Sequence, residues 1–261
     1  MSDKSLHAME LKLRNNTGVL LMFDPKKFTT TAAKPLPVVL LLDVSSSMSG
    51  DKIENLNKAV KDMLDTFAQE EKMETEILVS VITFGNQVEL HVPYTKASQV
   101  QWQGLQANGM TPMGTALKMA KAMIEDKSTT LGKFRIPQVI LISDGQPNDE
   151  WESPLENFIK EGRSSKCFCW GMGIGKDADI SVLEKFISQT PYIANDTKNR
   201  VFKASEAREI HKFFRLLTMQ VLSRSRSENP NVIPASIELD KNTKSNIAAS
   251  ATAENDEQGY W

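Results

Sequence analysis

The chain has 261 residues, with 31 lysine and arginine residues against 33 aspartate and glutamate residues. This length can bury a core without disulfide bonds, so one large domain or two small ones are expected. The near-neutral charge, with no basic stripe interleaved with aromatic residues, disfavours a nucleic-acid-binding protein.

The N-terminal residues favour a cytoplasmic location. They contain no apolar region of the kind found in secretory signals, and the apolar run Val38 to Leu42 is far too short to cross a bilayer. Residues 1–34 are predicted to form an N-terminal extension, in which 10–13 and 19–23 have the pattern of two short strands.

The first half of the main domain, predicted over 35–222, begins with a buried strand. Val38 to Leu42 does not alternate between apolar and polar residues, which is typical of a strand in a parallel sheet. A helix is predicted from Asp51, with an apolar stripe on one side and lysines such as Lys52 and Lys58 on the solvent side. A strand over 77–84 then turns at Gly85-Asn86 into an antiparallel edge strand over 88–92.

The second half continues the alternation of helices and strands. Helices are predicted after Thr111, over 155–159, over 180–187 and from Ser205, and strands are predicted over 137–143, 166–175 and 201–202. This order predicts an α/β fold with a mostly parallel central sheet and helices on both faces. Residues 223–261 are rich in polar residues and are predicted to form a disordered tail. Ser223, Ser225 and Ser227 alternate with arginines, as in a phosphorylated segment or a plain solvated linker.

The two cysteines, Cys167 and Cys169, lie in a predicted strand on the same face. We expect two small buried apolar residues there, because a zinc site would need further ligands and the three histidines of the chain are isolated from one another.

Oxygen-bearing side chains follow the ends of two buried strands. Asp43, Ser45 and Ser47 form a D-x-S-x-S pattern after the first strand, and Asp144 follows the strand over 137–143. Thr111 lies on a loop between two glycines, where it either caps the next helix or offers its hydroxyl to an ion. Carboxylate and hydroxyl oxygens suit a hard cation such as Mg²⁺, with Mn²⁺ and Ca²⁺ as alternatives. A serine-rich capping turn and an Asp-Gly turn are the simpler interpretations of the same residues.

Taken together and in this order, the three motif parts resemble the von Willebrand factor A domain with its metal-ion-dependent adhesion site. The resemblance covers roughly residues 36–222 and implies a Rossmann-like fold. It further implies that Ser45, Ser47 and Thr111 ligate Mg²⁺ through hydroxyl oxygens, while Asp43 and Asp144 act directly or through water. Such a site would bind another protein by taking a carboxylate from it as a further ligand.

Within that family, the chain is similar to bacterial cytoplasmic TerY-type proteins of tellurite-resistance and stress operons. That similarity implies Ser/Thr kinases and PP2C-type phosphatases as partners, although the cysteine-rich module of some such proteins is replaced here by a polar tail. An adaptor for an AAA+ ATPase is the alternative. A Mg²⁺-dependent hydrolase has less support, since neither a P-loop nor a G-x-S-x-G elbow occurs and Ser45 stands where a second acid would be expected. We therefore predict that the chain is not an enzyme.

Overall fold

In the part of the chain that the structure describes, six strands form one sheet in the order β3-β2-β1-β4-β5-β6. The computed structural model describes residues 34–71, 76–131, 134–176, 178–187 and 201–226. The strands are β1 (Leu36–Asp43), β2 (Ile77–Phe84), β3 (Val88–Lys96), β4 (Gln138–Ser143), β5 (Phe168–Ile174) and β6 (Val201–Ala204). The helices are α1 (Asp51–Glu71), α2 (Met113–Glu125), α3 (Glu152–Lys160), α4 (Ile180–Ile187) and α5 (Ala207–Arg226).

The sheet is parallel except at one edge. The β2–β3 pair is antiparallel, and the other neighbouring strands run parallel. The predicted α/β class and the antiparallel edge strand are therefore confirmed, although β3 extends to Lys96 and not to residue 92.

The centre of the fold is β1, which pairs with β2 on one side and β4 on the other. All eight of its residues are buried, as its unbroken apolar sequence predicts. Val38, Leu40 and Leu42 pack in the cluster that contains the apolar faces of α1 and α5. Val39 and Leu41 pack in the opposite cluster, with residues of α2, α3 and α4. Helices thus cover both faces of the sheet and hold β1 in place.

The last helix is longer than predicted. Helix α5 ends at Arg226, four residues beyond the domain end predicted at 222. Arg224 and Ser225 are buried, and the guanidinium of Arg224 lies 3.9 Å from the ring centroid of Phe168. Polar residues in this turn are thus held by packing that the local sequence does not reveal. The rest of the predicted tail and the predicted N-terminal extension up to residue 33 lie outside the described residues.

Both cysteines are buried, as predicted, and lie in the cluster that faces α3 and α4. In the part of the chain that the structure describes, no helix has the length and apolar character needed to span a membrane.

Candidate metal centre

Two aspartates lie at the same edge of the sheet. Asp43 is the last residue of β1, and Asp144 follows Ser143, the last residue of β4. Because β1 and β4 are parallel neighbours, with Leu42 beside Ile142, both carboxylates lie at the carboxyl ends of the strands. Open α/β sheets bind their ligands at that edge.

Asp43 is fully buried and is held by two hydrogen bonds. Its Oδ1 accepts the backbone N–H of Ser45 at 2.8 Å, and its Oδ2 accepts the hydroxyl of Ser143 at 2.5 Å. Burial raises the pKa of Asp43; the hydrogen bonds from Ser143 and Ser45 oppose this rise, and the nearby charge of Asp144 adds to it. A cation at this edge would stabilise both carboxylates.

The serine loop, residues 44–50 between β1 and α1, connects the ends of β1 and β4 by hydrogen bonds. Ser45 and Ser47 share a hydrogen bond of 2.9 Å between their Oγ atoms, and the Ser47 hydroxyl donates to Oδ1 of Asp144 at 2.7 Å. The loop keeps its shape because a short 3-10 helix over Ser46–Met48 buries Met48 completely in the core. Four of the five predicted site residues are therefore joined in one hydrogen-bonded cluster.

The loop before α2 lies against the serine loop. The backbone N–H of Ser46 donates to the oxygen of Gly109 at 3.0 Å, and the N–H of Gly109 donates to the Ser46 hydroxyl at 3.0 Å. Gly109 has a φ of +84°, and a Cβ at this position would lie 2.3 Å from the Cα of Asn86. Only glycine fits this close approach without a shift of the backbone.

Thr111, the fifth predicted residue, is placed by backbone contacts. Its backbone N–H donates to Oδ1 of Asn148 at 2.9 Å, and its backbone oxygen accepts the N–H of Asn148 at 3.1 Å. The residue is 8% exposed. Among the described residues, its hydroxyl forms no hydrogen bond, either with the other four residues or elsewhere. Thr111 thus lies on the loop that precedes α2. Gly109 ties this loop to Ser46, and Asn148 ties it to the Asp144 loop, which follows β4. The Thr111 hydroxyl oxygen remains available as a ligand.

The sequence of this domain matches the family model described as von Willebrand factor type A domain, over residues 38–216. The chain belongs to the von Willebrand factor type A (vWA) family. The match runs from Val38 in β1 to beyond β6 and includes all five candidate site residues.

Curated relatives of this vWA domain are longer proteins. Matrilin-3 of Gallus gallus is 26% identical over 170 residues, which cover 62% of this chain and 36% of matrilin-3. The human inter-alpha-trypsin inhibitor heavy chain H4 is 24% identical over 239 residues, which cover 88% of this chain and 24% of that protein. The chain thus spans well under half of either relative. These relatives do not support the closer TerY-type similarity, which stays a prediction.

A solved structure with the same fold carries a metal. It is the structure of proximal thread matrix protein 1 from the mussel byssus with a zinc-occupied MIDAS (metal-ion-dependent adhesion site) motif. The two chains are 18% identical, with a TM-score of 0.50, over 72% of this chain and 46% of the mussel chain.

An aspartate that sequence reasoning missed caps α2, the helix that follows Thr111. Asp149 accepts the N–H of Gly114 at 2.9 Å, the N–H of Thr115 at 2.8 Å and the Thr115 hydroxyl at 2.9 Å. The alternative in which Thr111 caps α2 was wrong, since Pro112 is at the cap position and no side chain there makes the bond. A carboxylate at the first N–H groups of a helix also offsets the helix dipole.

A lysine also enters the vWA site. The Nζ of Lys52 lies 2.5 Å from Oδ2 of Asp144 and 3.1 Å from the backbone oxygen of Ser47. Sequence reasoning placed Lys52 on the solvent side of α1. Its side chain is 36% exposed, but its ammonium also contacts two of the predicted site residues, which was not predicted. The only available signal was its position in the first helical turn, immediately after the serine loop.

The donor atoms around this edge suit a hard cation. Two carboxylates and three hydroxyls lie at the end of β1 and on the loops that follow the strands, and all are oxygen donors, which Mg²⁺, Mn²⁺ and Ca²⁺ prefer. Among the described residues, no group of three or more His, Cys, Asp or Glu side chains could hold a metal. The residues present therefore fit a divalent cation of this kind.

Proposed function

We propose that this vWA domain is a divalent-cation-dependent protein-binding module. Asp43, Ser45, Ser47, Thr111 and Asp144 would hold Mg²⁺, directly or through water. The observation that carries the proposal is the 2.7 Å hydrogen bond from Ser47 to Asp144, which joins two loops 97 residues apart at the ligand-binding edge of the sheet.

The protein residues would give the bound cation a mostly neutral environment. Hydroxyl oxygens carry no formal charge, and three hydroxyls with two carboxylates do not fill the six positions of an octahedral cation, so a position is left to water. When bound, such a cation supplies an electrophilic position to which a carboxylate from a partner protein can add. The serine loop and the Thr111 loop then fix the ligands before the partner arrives.

The chemistry of the donors and one structural neighbour support this proposal. The mussel byssus protein shares the fold and holds zinc in a MIDAS motif. We propose Mg²⁺ for this chain because all the candidate donors are oxygen atoms, and Mn²⁺ and Ca²⁺ are the metals to compare with it.

Isothermal titration of Mg²⁺ tests the metal site. Thr111→Val keeps the shape of the side chain and removes only the hydroxyl, so it is expected to weaken Mg²⁺ binding about tenfold or more, as even outer-shell changes do. Thr66→Val is the matched control, because the Thr66 hydroxyl bonds the backbone of its own helix, at Asp62. Equal Mg²⁺ affinity in the two variants would remove Thr111 from the site.

Capture of partner proteins tests the second half of the proposal. The full chain on a resin is expected to retain partners in Mg²⁺ and to release them in EDTA, and Asp43→Ala and Thr111→Ala are expected to abolish retention without unfolding the domain. Unchanged retention of the partner proteins in EDTA would contradict the metal-bridged mechanism. Mass spectrometry of the eluate would also distinguish a kinase and PP2C-type phosphatase from an AAA+ ATPase, which stay predictions.

We propose a non-catalytic role for the site. The position two after Asp43 is Ser45, and the two described histidines have their polar contacts with Gln103 and Asp62. In the described part of the chain, no histidine bonds either carboxylate, and the basic group that lies beside them, Lys52, is already paired with Asp144. Release of phosphate from generic phosphoesters, if it required Asp43, would overturn this proposal.

The stress-response setting and the cytoplasmic location also remain proposals, and cell fractionation tests the cytoplasmic location.

A further inference from the structure

Lys52 connects the first turn of α1 to the loop after β4. Its Nζ lies 2.5 Å from Oδ2 of Asp144 and donates a second hydrogen bond, of 3.1 Å, to the backbone oxygen of Ser47. The Asp144 side chain is inaccessible to solvent, and that of Lys52 is 36% exposed. The pair thus joins a buried carboxylate to a lysine that solvent reaches.

A glycine at the end of β5 keeps space for the lysine. Gly175 has a φ of +96°, and a Cβ built there would lie 3.3 Å from Nζ and 3.4 Å from Cε of Lys52. A side chain at this position would therefore crowd the ammonium. The position of the positive charge is fixed by α1, by the Asp144 loop and by the residue that follows β5.

Both oxygens of the Asp144 carboxylate already have donors from the chain. Oδ1 accepts the Ser47 hydroxyl, and Oδ2 accepts the Lys52 ammonium. A divalent cation that uses Asp144 must displace the ammonium or bind close beside it. Like charges a few ångströms apart in a partly buried site repel strongly.

We propose that Lys52 is an internal competitor of the metal: its ammonium neutralises Asp144 in the metal-free protein and lowers the affinity of the site for divalent cations. This inference rests on the proposed function, because it requires Asp144 to contribute to the metal site. Lys52 acts on the cation through Asp144 and is thus a positioning residue. Its consequence is a domain that stays folded without a cation and binds one only at a higher concentration.

Titration of Mg²⁺ alone into the full-length protein tests the competition. Lys52→Met is expected to bind Mg²⁺ about tenfold more tightly than the unsubstituted chain, because one positive charge next to the ligand is removed. Lys58→Met is the matched control, since Lys58 is exposed on the same helix, and it is expected to leave the affinity unchanged. An affinity in Lys52→Met that is equal to or weaker than that of the unsubstituted chain would overturn the inference.

Thermal unfolding with and without Mg²⁺ separates competition from a purely structural role. Without Mg²⁺, Lys52→Met is expected to have a lower Tm, because the buried Asp144 loses its ion pair. Mg²⁺ is then expected to raise the Tm of this variant more than that of the unsubstituted chain, while Lys52→Arg, which keeps the charge, retains the weaker affinity. Equal Tm losses with and without Mg²⁺ would contradict competition.

The same titration distinguishes failure of the inference from failure of the metal site. Equal Mg²⁺ binding by the unsubstituted chain and Lys52→Met would leave the site standing and remove only the competition. Mg²⁺ binding by neither protein would overturn the site and the inference together. Binding by Lys52→Met alone would support the inference in its strongest form.

Discussion

The Ser143 hydroxyl donates a 2.5 Å hydrogen bond to Oδ2 of Asp43, although one hundred residues separate the two. Both side chains are buried, at the ends of β4 and β1. Burial raises the pKa of Asp43, and this hydrogen bond is the largest of the contacts that oppose the rise. The contact therefore favours the ionised carboxylate at the edge where a cation would bind.

Ser143→Ala is expected to destabilise the protein. The buried Asp43 carboxylate loses a donor, which costs about 1–3 kcal/mol in free energy of unfolding, measured by urea denaturation in EDTA. Ser49→Ala is the control, because the Ser49 hydroxyl is exposed and bonds only the nearby oxygen of Ser46, so a change of less than about 0.5 kcal/mol is expected. Equal losses would show that the Ser143 contact contributes nothing specific.

Stability near the end of α5 is expected to depend on pH through Glu70. The Arg226 guanidinium forms two hydrogen bonds with this carboxylate, one of them 2.6 Å between Nη2 and Oε2, and lowers the pKa of Glu70 below its ordinary 4.5. A carboxyl group with a lowered pKa in the folded state stabilises the protein above the unfolded pKa and loses that effect as pH falls through the folded value. Glu70→Gln is thus expected to destabilise at neutral pH and to have little effect in strong acid.

The size of this effect is modest, because Arg226 is largely exposed to solvent. We expect about 1 kcal/mol or less at neutral pH, from urea unfolding followed across the acid range. Asp65→Asn is the control, since Asp65 pairs with Lys61 on the exposed surface of α1. A Glu70→Gln effect that persists unchanged well below pH 4.5 would contradict the ion-pair explanation.

Asp149→Ala is expected to weaken both the fold and Mg²⁺ binding. Loss of the cap of α2 costs about 1 kcal/mol. The cap lies directly after the Thr111 loop, so a looser α2 is expected to reduce the Mg²⁺-induced rise in Tm as well. Glu184→Ala is the control, because it removes an exposed carboxylate of α4 that caps no helix. It is expected to change neither the free energy of unfolding nor the Mg²⁺-induced rise in Tm. A full Mg²⁺ response in Asp149→Ala would separate the cap from the site.

Gly114→Ala is expected to disrupt the packing of α2 on the segment before α3. Alanine favours helices, but here its Cβ would lie 2.0 Å from the backbone oxygen of Glu150 and 2.7 Å from the Cα of Trp151. Relief of that overlap requires backbone movement, and a loss of about 3 kcal/mol or more is expected from thermal or urea unfolding. Gly104→Ala is the control, since its nearest contact would be an ordinary 3.7 Å to Asn57. Similar losses in both variants would contradict the steric explanation.

The success of the sequence prediction follows from the local nature of its signals. An apolar run such as Val38 to Leu42 is buried on both faces wherever the strand packs, and helical periodicity identifies the inner face of α1 without knowledge of its neighbours. The errors concern long-range contacts. Arg224 and Ser225 have the sequence pattern of a polar tail, yet packing buries them at the end of α5.

The sequence by itself determined the class of fold, the order of its elements and the oxygen-rich residues that end its buried strands, because each of these depends on residue type and spacing along the chain. Only the tertiary structure decided that Lys52 pairs with Asp144, that Asp149 caps α2 and that Asn148 fixes Thr111. Those contacts join residues 34 to 92 positions apart. Parallel pairing of β1 with β4 brings the loops after these strands to one end of the sheet, and the loop after β4 also contacts the start of α2. Both are properties of the folded chain.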